Sequence, residues 1–439
     1  MLKAIVFAIL AILAPIHAQE VSFTQLFYTT GEAEMWGCSA GLDFLKFDYV
    51  PLNKTYFAQY YDSMCAYPPA TGSVLLCAKE KMSQGGKVKD VLFKTFERAC
   101  KEYSSYTYDW EYYSDQYENA TKYLPLTEPV NTSLPVYFPT LMNMTAIDIS
   151  YISYHEFYFN EDSGTWFSVG ICGYFLLLIV ISTLYNFARN VGISKSINRS
   201  KLSKAIQKYI IFSPMAPKGK FAEAWGPQNW FPVLLPNRMQ FIADVFLFAL
   251  QVAFYCVSYR VRDDNFYTSK AQALQSYLGI RSGIMAFGKI PLLILFAGRN
   301  NFIMWTTGWS FATCLHFHKV LAWWMSFDTL VHSVAYTLEV GSYYKQDMKQ
   351  LYFAAGVAAT VLCGALLLFS LPPIRKSYYE YFFTFHVVLA IGFIAMCWYH
   401  CNILGWMEWM VAACCVWVFD RIVRVIRMTA FGYRTAVLT

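Results

Sequence analysis

The sequence predicts an all-α membrane protein, a seven-helix transmembrane bundle that follows an extracellular disulfide-bonded domain. Hydrophobic residues make up 56% of the 439 residues, more than the roughly 45–50% typical of soluble proteins. Seven apolar segments each approach the roughly 20 residues that a helix needs to cross hydrocarbon. The region before them is polar and carries cysteines and glycosylation motifs.

The N-terminus is typical of a secretory signal peptide, predicted for residues 1–18. Lys3 gives it a positive start, and the apolar run from Ala4 to Ala14 is too short to span a bilayer. Ala18 is a small residue that suits a cleavage site. The alternative is a buried N-terminal helix.

Residues 19–165 are predicted to form an extracellular glycosylated domain. An even set of cysteines behind a signal peptide indicates two disulfides, with the connectivity left open. The candidates are Cys38, Cys65, Cys77 and Cys100. Asn-X-Ser/Thr motifs mark candidate glycosylation sites at Asn53, Asn119, Asn131 and Asn143.

The apolar segments define the rest of the chain. They lie near residues 166–187, 239–260, 280–298, 312–338, 351–371, 381–402 and 405–425. The resulting domains are a first transmembrane helix (166–187), a basic cytosolic loop (188–238), a transmembrane domain (239–427) and a cytosolic tail (428–439).

Loop charges predict the direction of these spans. The loop between Arg189 and Arg238 is strongly basic, with Glu223 its only acid. Such a loop is expected on the cytosolic side. The outward loops are mixed in sign. We therefore expect a multi-pass plasma-membrane protein that arrives by the secretory pathway, with an extracellular N-terminus and a cytosolic C-terminus.

Four histidines share one spacing. His318 and His332 are 14 residues apart on one span, as are His386 and His400 on another. Fourteen steps return to within about 40° of the start and advance about 21 Å along a helix. The two histidines of one helix therefore share a face but cannot chelate one metal ion.

The two histidine-bearing spans run in the same direction, because a single span separates them. His318 then faces His386 near the cytosolic end (the inner pair), and His332 faces His400 near the outer end (the outer pair). Facing imidazoles are bis-axial ligands of haem iron, so two b-type haems are predicted and no catalytic side chain. For any single histidine, an interhelical hydrogen bond is the alternative.

Three further residues are placed by the same helical period. His316 lies about 200° from His318 and is predicted to point away from the haem slot, in a structural or interfacial role. Met325 and Phe393 are the midpoints of the two histidine spacings. They are candidates to pack between the haems, with ordinary core packing as the alternative.

Motifs around these histidines resemble those of fungal ferric reductases, which are related to the NADPH oxidases. The resemblance is specific over about residues 280–427. The matching motifs are GRNN at 298–301, TGWS at 307–310, VHS at 331–333, FFTFH at 382–386, WYH at 398–400 and FDR at 419–421.

The resemblance implies a six-helix di-haem ferric reductase core in which His318, His386, His332 and His400 ligate the haem irons. In that family, NADPH reduces FAD on a cytosolic domain, and electrons pass through both haems to extracellular ferric or cupric chelates, serving iron or copper uptake. The expected partners are membrane lipid and those chelates, with no nucleic acid. Metal reduction is expected near His332, His400 and the loop Glu339–Gln350.

The sequence departs from the family after residue 427. No HPF motif and no glycine-rich nucleotide loop occurs in residues 1–439. We therefore expect no FAD or NADPH site and no oxidation of NADPH by these residues alone. A cytosolic flavoprotein reductase could dock on the basic tail, although positive-inside anchoring also explains that charge. A haem-binding paralogue with a regulatory role and a transporter are the competing functions.

Overall fold

The computed structural model describes residues 31–49, 56–84, 89–124, 133–140, 144–192, 200–211, 213, 236–267, 269–402 and 404–430. Over these ranges the chain is mostly helical, and its β structure is limited to an isolated bridge between Lys46 and Pro135. The all-α prediction is confirmed for this part. The predicted signal peptide, Asn53, Asn131, Asn143, and much of the basic loop and tail lie outside it.

The N-terminal unit comprises residues 25–162 and 259–277. Apolar residues of its helices recur at helical spacing, so one face of each helix packs into a shared core. Disulfides join Cys38 to Cys77 and Cys65 to Cys100 inside that core. Asn119 is exposed in the last turn of α5. The helices are α1 (Glu32–Ser39), α2 (Tyr56–Ala66), α3 (Pro68–Gln84), α4 (Lys89–Tyr103), α5 (Trp110–Thr121) and the start of α6 (Met144–Asn190).

Residues 259–277, which the sequence assigned to the transmembrane domain, group instead with the N-terminal unit. Polar contacts explain this grouping. The Asn160 amide donates to the Arg260 carbonyl (3.0 Å), and the Phe266 N–H donates to the Ser153 hydroxyl (3.1 Å). Within the loop, a hydrogen bond from the Arg262 guanidinium lowers the pKa of the exposed Asp264 carboxyl.

The second unit comprises residues 163–258 and 278–430 of the described chain. It contains the rest of α6 and ten further helices in chain order. They are α7 (Lys201–Ile206), α8 (Arg238–Cys256), α9 (Lys270–Ala297), α10 (Phe302–Thr307), α11 (Phe311–Val340), α12 (Tyr344–Asp347), α13 (Leu351–Phe369), α14 (Pro372–Ser377), α15 (Tyr379–Cys401) and α16 (Met407–Ala430).

Seven described helices of 19 residues or more overlap the seven predicted spans. Five of them, α6, α8, α9, α13 and α15, are long and apolar enough to cross a membrane. α11 and α16 are as long but contain more charged side chains, such as Lys319 and Asp420. α6 begins 22 residues before the predicted 166, because its first part is polar and hydropathy does not detect it.

α9 is the central helix of the second unit. Of its most apolar stretch, 61% is buried, against 11–17% for the other four apolar helices. Its Arg281 is fully buried and closes the end of α8 by donating to the carbonyls of Phe254, Val257 and Ser258 at 2.6–3.1 Å. These carbonyls lie where a helix leaves its last oxygens unpaired.

Candidate metal centre

The four predicted histidines lie on α11 and α15. α11 begins at Ser310, whose hydroxyl accepts the Thr313 N–H (3.2 Å), directly after the left-handed Gly308 (φ 72°). α15 follows the short helix that Pro372 starts, and it runs to Cys401. Both helices continue through their two histidines without a break, so the 14-residue spacing places each pair of rings on one face.

The structure brings these histidines together as two facing pairs. The rings of His318 and His386 have centroids 6.3 Å apart, and those of His332 and His400 lie 6.0 Å apart. All four rings are half-buried. Since metal–imidazole bonds are about 2 Å long, either spacing leaves room for one iron atom between two ring nitrogens.

Hydrogen bonds orient every one of the four rings through Nδ1. The contacts are His318 to the Leu293 carbonyl (2.9 Å), His332 to the Gly279 carbonyl (2.8 Å), His400 to the Tyr352 carbonyl (2.9 Å) and His386 to the Ser370 hydroxyl (3.1 Å). α9 holds both histidines of α11, and its two acceptors are also 14 residues apart. α13 and the residue after it hold both histidines of α15.

These contacts fix the chemistry of the rings. A carbonyl oxygen can only accept, so Nδ1 of His318, His332 and His400 carries the proton and Nε2 is left as the basic nitrogen. Metal-ligating histidines almost always donate their other N–H in this way. The donor set therefore fits two bis-histidine haem irons, one for each pair.

Glycines allow the neighbouring helices to approach the outer pair. A Cβ on Gly283 of α9 would lie 2.5 Å from Nδ1 of His332, and one on Gly356 of α13 would lie 2.6 Å from Nδ1 of His400. Neither contact is sterically possible without movement. The close approach also lets the ring of Tyr336 lie 4.9 Å from His332 and that of Tyr352 6.4 Å from His400.

The remaining predicted residues occupy distinct places. Met325 and Phe393, the two midpoints, are buried in the same apolar cluster. His316 points to α8 instead, where its Nε2 lies 2.9 Å from the Asp244 carboxylate. Its position fits the predicted structural role. Among the described residues, no cluster of three or more His, Cys, Asp or Glu side chains could hold a separate metal ion.

A buried ion pair was not singled out from the sequence. Lys289 of α9 and Asp328 of α11 are both fully buried, with Nζ 2.5 Å from Oδ2. The other carboxylate oxygen accepts from the Gln251 amide and the Tyr255 hydroxyl of α8, each at 2.7 Å. Lys289 could have been found, because an ionisable residue inside an apolar span is a functional candidate by default.

Two motifs of the resemblance meet at the ends of α9 and α16. The Asp420 carboxylate of FDR accepts the main-chain N–H of Asn300 in GRNN (3.0 Å), and the Arg427 guanidinium donates to the Asn300 side chain (3.0 Å). Gly298 leaves little space beside Asp420, since a Cβ there would lie 3.0 Å from its Oδ1. The motifs therefore join the last helix to the turn after α9.

A known family shares this arrangement. Residues 282–397 match the family described as "Ferric reductase like transmembrane component". This segment is a ferric reductase-like transmembrane domain. The matched range includes His318, His332 and His386 and ends three residues before His400. The resemblance predicted from the sequence motifs is confirmed.

Ferric reductase components of yeasts are similar to the chain over most of its length. "Ferric reductase transmembrane component 3" of Saccharomyces cerevisiae is 30% identical over 86% of this chain and 54% of the relative. "Ferric/cupric reductase transmembrane component 2" of the same yeast is 30% identical over 85% and 53%.

A Candida albicans protein, "Probable ferric reductase transmembrane component", is 33% identical over 62% of this chain and 41% of its own length. The chain thus spans about half the length of the Saccharomyces relatives that it matches. No solved structure matches the ferric reductase-like chain significantly.

Proposed function

We propose that this chain is the transmembrane electron conduit of a ferric- or cupric-chelate reductase, which passes electrons from the cytosolic side to extracellular metal chelates for iron or copper uptake. The observation that carries the proposal is the two facing histidine pairs, with ring centroids 6.3 and 6.0 Å apart. The printed names of the ferric and ferric/cupric reductase relatives support the substrate class.

His318 and His386 would hold the inner haem iron, and His332 and His400 the outer one. Haem supplies an iron centre that takes up and gives up one electron at a time. The chain's own contribution is to orient four imidazoles from α9 and α13. The apolar cluster that contains Met325 and Phe393 supports a low-dielectric passage between the two depths.

The proposed topology has seven spans, an extracellular N-terminal unit and a cytosolic C-terminus. The length of α11 supports its inclusion, because 30 residues extend about 45 Å. Its polar side chains face other helices, as Asp328 does toward Lys289. Two disulfides in the N-terminal unit support an oxidising compartment, and the predicted basic loop supports the inward direction.

Metal reduction would occur on the extracellular side, next to the outer pair. The segment from Glu339 to Gln350 begins seven residues after His332 and includes Lys345 and Lys349. Because no separate metal cluster is found among the described residues, we infer that a ferric or cupric chelate docks over this segment and accepts electrons without binding to a dedicated ion site.

Electrons would reach the inner pair from a flavin on the cytosolic side. NADPH gives up two electrons as hydride, whereas haem iron takes one, so a flavin is required between them. The resemblance to ferric reductases indicates FAD in this role. The FDR and GRNN contact, between Asp420 and Asn300, would support the cytosolic end of the bundle where such a donor acts.

The first test is haem binding by the purified chain. We expect about two haems per chain with low-spin bis-histidine spectra. His318→Ala should remove the inner haem, and His332→Ala should remove the outer one. A purified, folded chain without haem would contradict the proposal.

The second test is electron transfer across a membrane. The chain is reconstituted in vesicles, with dithionite on the side of the C-terminal tail and a ferric chelate on the other. Ferrous iron should appear on the chelate side, and far less should appear with His332→Ala vesicles. Equal rates for wild type and His332→Ala would overturn the direction and the route proposed here.

A further inference from the structure

The hydrogen bond of His386 differs in kind from those of the other three histidines. His318, His332 and His400 each contact a main-chain carbonyl at 2.8–2.9 Å, whereas Nδ1 of His386 lies 3.1 Å from the Ser370 hydroxyl. Main-chain acceptors are present whatever the side chain. Of the four orienting contacts, the one at His386 alone depends on the identity of a residue.

The end of α13 explains why a side chain meets His386. α13 finishes at Phe369, and Ser370 is its C-cap, with its N–H donating to the Leu366 and Leu367 carbonyls at 3.1 Å. Pro372 and Pro373 follow, and proline cannot continue a helix because it has no N–H to donate. The helix therefore stops beside His386, and the Ser370 side chain reaches its ring.

We propose that Ser370 is a positioning residue that sets the orientation and donor strength of His386 in the inner pair. The inference rests on the proposed haem-binding function. A hydroxyl can accept the Nδ1 proton, but unlike a carbonyl it can also donate, so it restrains the ring less strictly. A partner at Nδ1 raises the basicity of a ligating imidazole and stabilises the oxidised iron.

The test compares three variants of the full chain. Ser370→Ala removes the partner of His386, and Ser370→Thr retains the hydroxyl. Ser333→Ala is the matched control, because its hydroxyl contacts Thr360 between α11 and α13 (2.7 Å) and not a histidine. The two haems are followed separately by low-spin electron paramagnetic resonance and redox titration. His318→Ala identifies the inner signal.

With Ser370→Ala, the apparent affinity of the inner site for haem should fall by about tenfold. The inner low-spin signal should shift, and the inner haem should be reduced at a higher potential. The outer haem in the same molecule should be unchanged and thereby report an intact fold. Ser370→Thr and Ser333→Ala should both resemble wild type.

Two outcomes would overturn the inference. One is a Ser370→Ala protein in which both haems keep wild-type signals and potentials. The other is equal change at both haems, including loss of both, which would indicate a general structural role. A wild-type chain that binds no haem would instead contradict the proposed function, so the two failures are distinguishable.

Discussion

The outer and inner histidine pairs occupy equivalent places on the same two helices but are supported differently. Around the outer pair, the Gly279 and Tyr352 carbonyls hold both rings, and the missing side chains of Gly283 and Gly356 let the helices approach. Around the inner pair, one of the two contacts comes from the Ser370 hydroxyl.

This difference separates two ways of controlling a metal ligand. The outer pair is oriented by main chain, so changing it requires that a helix move or that a glycine acquire a side chain. The inner pair can be adjusted by one side-chain substitution at an otherwise unchanged backbone. Proposed ligands of identical type and spacing can therefore differ in how easily substitution alters them.

The largest effect is expected from breaking the buried ion pair, which lies one helical turn from the outer pair. Lys289→Met leaves the Asp328 carboxylate buried without its cation, although Gln251 and Tyr255 still donate to it. Removal of one partner of a buried pair typically costs about 3–5 kcal/mol. Thermal unfolding in detergent should show this loss, with the outer haem released before the inner one.

A double variant provides the control for this prediction. Lys289→Met with Asp328→Asn removes both charges but keeps an oxygen that accepts from Gln251 and Tyr255. Its stability should recover most of the loss, because a buried pair adds little once both charges are gone. If the double variant is as unstable as the single one, the cost does not come from an unpaired charge.

The next largest effect is expected at Gly356. Gly356→Ala places a Cβ 2.6 Å from Nδ1 of His400, and overpacking of this kind typically costs about 1–3 kcal/mol. We expect loss of the outer haem and retention of the inner one, as measured by haem content per chain. Gly364→Ala on the same helix meets nothing within 4 Å and should keep both haems. Equal haem loss in the two variants would remove the asymmetry between the pairs.

A smaller effect is expected at the surface beyond the outer pair. Neutralising Lys345 and Lys349 together, as Lys345→Gln and Lys349→Gln, should slow reduction of anionic ferric chelates by up to about tenfold at low salt. The difference should shrink as ionic strength rises, because salt screens exposed charges. An uncharged chelate is the control. Unchanged kinetics with the anionic chelate would mean that docking occurs elsewhere.

The smallest effect is expected at His316, two residues from an inner ligand. His316→Ala removes the contact with Asp244 and should cost about 1 kcal/mol of unfolding free energy. Both haems should remain, whereas His318→Ala should lose one. Haem loss in His316→Ala, with His318→Ala unaffected, would reverse the ligand assignment of the inner pair.

The sequence predicted the helices well where hydropathy carries the signal. The segment predicted near 351–371 corresponds to Leu351–Phe369, and the one near 381–402 to Tyr379–Cys401. It failed where hydropathy is silent, as at the polar start of α6 at Met144. The grouping of residues 259–277 with the N-terminal unit was also missed, because it depends on polar contacts between segments far apart in the chain.

At the candidate site, the helical period predicted which histidines face each other, and the structure places them so. Their haem-ligand role stays a prediction. The orienting carbonyls of Gly279, Leu293 and Tyr352 could not be predicted, because every residue carries a carbonyl and its use depends on helix register. Ser370 and Lys289 have recognisable side chains, but their partners lie 16 and 39 residues away.

The two buried cations of α9 bear on how the protein is made. Arg281 and Lys289 lie in one candidate span, and each would cost about 2.5–3.5 kcal/mol at the centre of an isolated helix in lipid. The carbonyls that satisfy Arg281 come from α8, synthesised earlier, whereas the Asp328 carboxylate belongs to α11, synthesised later. α9 is therefore expected to stay beside the insertion machinery, held by α8, until α11 emerges and neutralises Lys289. Substitution of Asp328 would then reduce the yield of inserted protein before it altered any property of the finished one.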